Sequence, residues 1–210
     1  MNLVVITPSK IEENEIFSIN KMFEAGLETL HVRKSRLTTK ELDEYIKQIP
    51  AIYHNRIVIH SHHKLALKYN LKGIHLTDVH LSKKVKFWWN NKMIYLRKPN
   101  LIKTISAKQV DELYIDDNLK ITYTFLGTMF HNVSGELYSG FYTEKVEAVI
   151  KKSGKQIYAR GGVNLKSVEL AHELGFHGVA LYGYLWKSKT PFENYLEFLR
   201  FCKEKNIPIN

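Results

Sequence analysis

A single cysteine, Cys202, stands in 210 residues, so no internal disulfide forms and a reducing, cytoplasmic setting is expected. No apolar run approaches the roughly 20 residues of a membrane-spanning helix. The opening Leu3-Val4-Val5-Ile6 run is too short and too unflanked for a secretory signal. Low-complexity tracts and helical repeats are missing, which sets aside solenoids and disordered arrays. No G-x-G-x-x-G follows the first strand, which ends in Thr7-Pro8, and this argues against an open dinucleotide-binding sheet. Acidic residues are also in short supply. Against 31 Lys+Arg there are 21 Asp+Glu, a net charge of +10 that favours anionic partners. The lysines are scattered, with only short clusters such as Lys83-Lys84, and no interleaved lysine–aromatic platform is visible. A phosphorylated small molecule is therefore the expected partner, with no nucleic acid and no membrane. Homo-oligomerisation is left open.

What is present centres on the stretch 156–186. Gln156-Ile157-Tyr158-Ala159 has the apolar character of a buried strand, and Arg160-Gly161-Gly162-Val163 follows it. Asn164 is a good N-cap for a helix over 165–174, which Gly175 ends; Gly178-Val179-Ala180-Leu181 is the next strand, followed by Tyr182-Gly183. Glycines just after two strands allow close backbone approach, and exposed N–H groups there suit a phosphate. Tight turns with no ligand remain the alternative.

Strands are expected at 3–6, 27–32, 56–60, 73–76, 101–105, 121–126, 156–159 and 178–181. Helical spacing lies between most of them. Ile16, Ile19, Met22 and Phe23 make one stripe; Thr38 and Glu41 form a capping box ahead of Leu42, Tyr45, Ile46 and Ile49. Ser106 with Gln109 is expected to cap a helix through Leu113, and Thr143 another. Thr190-Pro191-Phe192-Glu193 reads as a capping box with proline at the first position, with Phe192, Tyr195, Leu196 and Leu199 facing inward. Residues 78–100, with Phe87-Trp88-Trp89, show no clean amphipathic helix, and a long loop carries Gly135 and Gly140. Eight strands alternating with helices close most naturally as a single-domain (β/α)8 TIM barrel over residues 1–210, with a doubly wound sheet as the alternative.

Four stretches, in order, resemble the thiamine phosphate synthase family and its TenI-type tautomerase relatives. Leu30-His31-Val32-Arg33-Lys34 is similar to the second-strand motif, and Ile59-His60-Ser61 falls where synthases carry I-N-D. Gly73-Ile74-His75-Leu76 resembles G-V-H-L, and Gly161-Gly162-Val163 with Gly178-Val179-Ala180 resembles the last two strand ends. The resemblance implies a transferase of thiamine biosynthesis, joining a pyrimidine pyrophosphate to a thiazole phosphate with Mg²⁺. It implies Arg33 as the catalytic cation on the leaving group. It also implies His31, Lys34 and His60 on the substrate, and Gly161, Gly162, Tyr182 and Gly183 on the phosphate.

The departures bear on the chemistry. Both expected Mg²⁺ carboxylates are replaced, by Ser61 and His80; only Asp78 lies near. TenI-type tautomerases need no metal and place a histidine after the sixth-strand glycine, where this chain has Thr128; His131 is the nearest candidate for that proton transfer. A metal-independent tautomerase, or a non-catalytic phosphometabolite-binding barrel, is thus the alternative function. The run His60-Ser61-His62-His63 has zinc or nickel residue types, but adjacent histidines at a helix start diverge and no Cys or Glu completes a set. No metal site is expected from it.

Overall fold

The computed structural model describes residues 1–82, 94, 96–114, 120–132, 134–138 and 141–210. Eight strands, β1 (Asn2–Ile6), β2 (Leu30–Val32), β3 (Ile57–Ile59), β4 (Gly73–His75), β5 (Ile102–Ala107), β6 (Tyr123–Leu126), β7 (Ile157–Arg160) and β8 (Gly178–Leu181), hydrogen-bond in sequence order as a closed barrel. The registered pairs are parallel, such as Leu30 with Ile57 and Tyr158 with Gly178. Two compact units make up the chain, one of Ile6–Ile105 and one of Met1–Val5 with Ser106–Asn210.

In the first unit, α1 (Glu15–Glu24) and α2 (Thr39–Lys47) pack between strands. The Thr38–Glu41 capping box forms as the sequence indicates: Thr38 Oγ1 accepts from the Glu41 N–H while the Glu41 carboxylate accepts from the Thr38 N–H. Leu42, Tyr45 and Ile46 are buried on the inner face of α2. β2 starts three residues later than expected. The Leu27 N–H is used by the Met22 carbonyl to close the end of α1, so the ladder begins only at Leu30. Two short helices, α3 (Leu65–Lys68) and α4 (Asp78–Ser82), and a 3₁₀ segment, Ala51–Arg56, also belong to this unit. Residues 83–93 and 95, including Phe87, Trp88 and Trp89, lie outside the described residues, as does Gly140.

In the second unit, Ser106 is part of β5, and the expected helix there is a 3₁₀ segment, Val110–Tyr114. α5 (Thr143–Lys152) buries Val146, Val149 and Ile150, with no side-chain cap from residue 142. α6 (Val168–Glu173) is shorter than 165–174 because the Asn164 side chain accepts from the Lys166 and Ser167 N–H groups, holding that turn outside the helix. α7 (Gly183–Trp186) and α8 (Pro191–Glu204) follow β8. Pro191 does open α8, but Thr190 makes no side-chain cap; its own N–H donates to Ser188 Oγ. The buried stripe of α8 is Tyr195, Phe198 and Cys202, with Phe192, Leu196 and Leu199 half-buried. No described helix is long and apolar enough to cross a membrane.

Candidate functional site

Polar and charged side chains collect where the strands end and the chain turns toward the next helix. A cavity of about 650 Å³ opens beside β5, β6 and β7, lined by Lys108, Gly127, Thr128, Tyr138, Lys145 and Arg160 among others. Arg160 is the last residue of β7. Its guanidinium donates to Ser106 Oγ at 3.1 Å and to the Gly127 carbonyl at 3.0 Å, so the fork is held in one orientation at the cavity wall. Lys145 lies 3.3 Å from the Asp111 carboxylate, both exposed. With three basic residues and one carboxylate on its wall, the cavity has the electrostatic character of an anion site.

No motif in the sequence marks Arg160, although it directly precedes the glycine pair. What that pair does is more local than expected. Gly161 and Gly162 have φ of +87° and +73°, a backbone that side-chain-bearing residues rarely adopt. A Cβ at Gly162 would lie 1.9 Å from the Phe130 carbonyl oxygen. That oxygen belongs to the segment after β6, which rides on this turn: Met129 N–H donates to the Arg160 carbonyl at 3.0 Å and Phe130 N–H to that of Gly161 at 3.1 Å. Glycine is thus required here by backbone packing alone. Substituting Gly162 reports on that packing before it reports on any ligand. Gly183 differs, since a Cβ there meets only the Lys187 side chain, at 3.7 Å. Tyr182, just before α7, is exposed. His131 is exposed too, its ring tilted over Tyr138 at 4.7 Å beyond the Phe130–Leu137 bridge.

In the other unit the second-strand motif separates into two fates. Arg33 is exposed at the end of β2, its N–H donating to Thr7 Oγ1 at 3.0 Å. Lys34, expected on the substrate, points into the protein and is fully buried. Its ammonium donates to Glu15 at 2.7 Å and to the Lys10 carbonyl at 2.5 Å. Tyr45 Oη and the Glu12 N–H complete the donors to the Glu15 carboxylate. Burial lowers the Lys34 pKa, and the Glu15 carboxylate opposes that shift. Lys34 therefore anchors the loops after β1 and β2 to α1 and α2.

His31, His60 and His75 come together from β2, the end of β3 and β4. All three are buried, at 0, 8 and 4% exposure. His31 Nδ1 lies 3.0 Å from His60 Nε2, and the His60 and His75 rings stack at 4.1 Å. His75 Nδ1 is 2.8 Å from Thr104 Oγ1. Burial first, then the neighbouring histidines, hold His31 and His60 well below the ordinary imidazole pKa. Burial and the nearby His80 bring His63 down to about 3. His31 and His60 are thus enclosed and bonded to each other, deeper than a ligand-facing rim. Ser61, where a Mg²⁺ carboxylate is expected, is half-buried with its hydroxyl unpartnered among the described residues. His80 Nδ1 accepts from the Thr77 N–H at 3.1 Å, and Asp78 is exposed. These residues do not fit Mg²⁺, which takes oxygen donors and above all carboxylates.

A closed parallel eight-stranded barrel with helices between its strands belongs to the class of (β/α)8 proteins. The family profile described as thiamine monophosphate synthase, TMP-TENI, matches residues 3–185. The chain belongs to this family, and it is thiamine phosphate synthase-like along nearly its whole length. A thiamine-phosphate synthase of Persephonella marina is 24% identical over 201 residues, covering 92% of each chain. One from Flavobacterium psychrophilum is 24% identical over 202 residues, covering 91% of this chain and 94% of that one. Among solved structures, thiamine phosphate pyrophosphorylase from Bacteroides thetaiotaomicron superposes with a TM-score of 0.75 at 23% identity, covering 97% of this chain and 98% of the other. The Pyrococcus furiosus protein of that name gives 0.73 at 18% identity, with 97% and 96% covered.

Proposed function

We propose that the protein joins a pyrimidine pyrophosphate to a thiazole phosphate, releasing pyrophosphate and forming thiamine phosphate, in the cytoplasm. The observation that carries this reading is the family match over residues 3–185. The basic cavity supports it. Negative charge builds on the pyrophosphate as its bond to carbon breaks, and cations positioned beforehand lower that barrier. Arg33 is the cation assigned to the leaving group in this reading. Arg160, Lys108 and Lys145 supply positive charge for phosphate oxygens in the cavity. N–H groups of the turns at Gly161, Gly162, Tyr182 and Gly183 are the remaining phosphate donors in this reading. No step is assigned to Mg²⁺, since the residues at its expected position do not fit it.

Lys108→Ala tests the cavity, because it removes a side-chain charge from its wall. Losing one charge-assisted contact is expected to raise KM for a phosphorylated substrate by roughly 10-fold, with kcat changed much less. Steady-state kinetics on a variant that melts like wild type checks this, and an unchanged KM would remove the cavity from substrate binding.

A second reading is a TenI-type tautomerase acting on thiazole phosphate alone, with His131 moving the proton. The replacement of both Mg²⁺ carboxylates by Ser61 and His80 favours it.

A further inference from the structure

We propose that His31, His60 and His75 form a binding site for one divalent transition-metal ion of the zinc class. The inference is independent of which reaction the barrel performs. Among the described residues these three form the one cluster of metal-ligating side chains, with one ring nitrogen from each lying within 4.8 Å of the others. The His31 Nδ1 to His60 Nε2 separation, 3.0 Å, is close to the roughly 3.3 Å between two nitrogens bound tetrahedrally to zinc at about 2.0–2.1 Å. Bringing His75 into the set requires its ring, stacked on His60 at 4.1 Å with 21° between the planes, to turn about its side-chain torsions until a nitrogen faces the other two.

The surroundings match those of a metal ligand. A metal-bound histidine commonly donates its other ring N–H to a second group, which fixes its tautomer and aims its lone pair. His75 has a contact of that kind, with Nδ1 2.8 Å from Thr104 Oγ1. The three residues sit on β2, at the end of β3 and on β4, which pair side by side and hold the three backbones at fixed separations. The donor type selects the ion. Three imidazoles suit zinc, cobalt, nickel or copper and reject magnesium, so the chain that lacks the Mg²⁺ carboxylates would hold a different class of metal. Three protein ligands also leave a fourth position for water or for a heteroatom of a bound molecule.

The test uses the purified protein after exhaustive chelation. Titration with Co²⁺ is expected to give one saturable equivalent with visible d–d bands of a four- or five-coordinate nitrogen site, displaced stoichiometrically by Zn²⁺. Zn²⁺ should raise the melting temperature in proportion to its occupancy. His60→Gln and His75→Gln should each weaken binding at least 100-fold. Thr104→Val, which keeps all three ligands, should weaken it roughly 10- to 100-fold. His172→Gln, on an exposed face of α6, should leave it unchanged. The absence of a saturable Co²⁺ signal in the wild type overturns the proposal. So does wild-type affinity in a folded His60→Gln or His75→Gln variant. If neither variant folds, the wild-type spectrum and Thr104→Val decide.

Discussion

Replacing Lys34 with methionine is expected to destabilise the protein by roughly 3–5 kcal/mol, the usual cost of removing one partner from a buried ion pair. Lys34 and Glu15 are 2.7 Å apart with both side chains at 0% exposure, so the stranded carboxylate has no route to water. Methionine fills most of the lysine volume and keeps the effect electrostatic. For a chain of this length the loss corresponds to roughly 6–20 °C in melting temperature. The second substitution of a cycle makes the argument specific. Adding Glu15→Leu removes the stranded charge, so the double variant should lie well above the sum of the two single losses. Thermal or urea unfolding of the four proteins measures this. A single-variant loss under 1 kcal/mol would mean that the pair is solvated in the native state, and Lys34 would again be available to a ligand.

Acid should act on the other buried cluster. In metal-free buffer, stability is expected to fall steeply between pH 6.5 and 4.5, for the most part above the carboxylate range. In the unfolded chain His31, His60 and His63 take up protons near their ordinary pKa of 6.5, whereas the folded protein holds all three neutral to lower pH. Below pH 6.5 the unfolded state therefore binds more protons, and stability declines as pH falls. For His63 that window extends down to about pH 3. Each such group contributes a slope of about 1.4 kcal/mol per pH unit, so the three together approach roughly 4 kcal/mol per unit. Asp43, held at about 2 chiefly by Lys68, adds to the loss only below its ordinary 3.8. Denaturant melts at a series of pH values give the slope, and His63→Gln should reduce it by about a third. A flat profile from pH 6.5 to 4.5 would show that the histidines are protonated in the native state.

The barrel is legible in the sequence because its signals are local. Apolar runs at 57–59, 74, 123–126 and 178–181 need only their own residues to be read as strands, and the Thr38–Glu41 box spans a single turn. Boundaries shift where a backbone group has a competing partner, as Leu27 does with Met22 and as the 166–167 turn does with Asn164. The site is legible only in part. Gly161 and Gly162 are conspicuous, yet their immediate reason is the Phe130 carbonyl, which no local pattern announces. Lys34 looks like Arg33 in the sequence, but only the fold brings Glu15 and Tyr45 to it. Arg160 acquires its role from Ser106 and Gly127, two other strand ends. The histidine set is hidden for the same reason. The histidines at 60–63 stand out as neighbours in sequence, whereas only the folded chain brings His60 beside His31 and His75.

One assay addresses the joining reaction directly. The purified protein is incubated with thiazole phosphate and pyrimidine pyrophosphate, together and separately, and the product is oxidised and read by fluorescence. Thiamine phosphate is expected to accumulate over many turnovers when both precursors are present and not with either alone. Isomerisation of the thiazole phosphate without the pyrimidine, or no conversion of either precursor at any protein concentration, would contradict it.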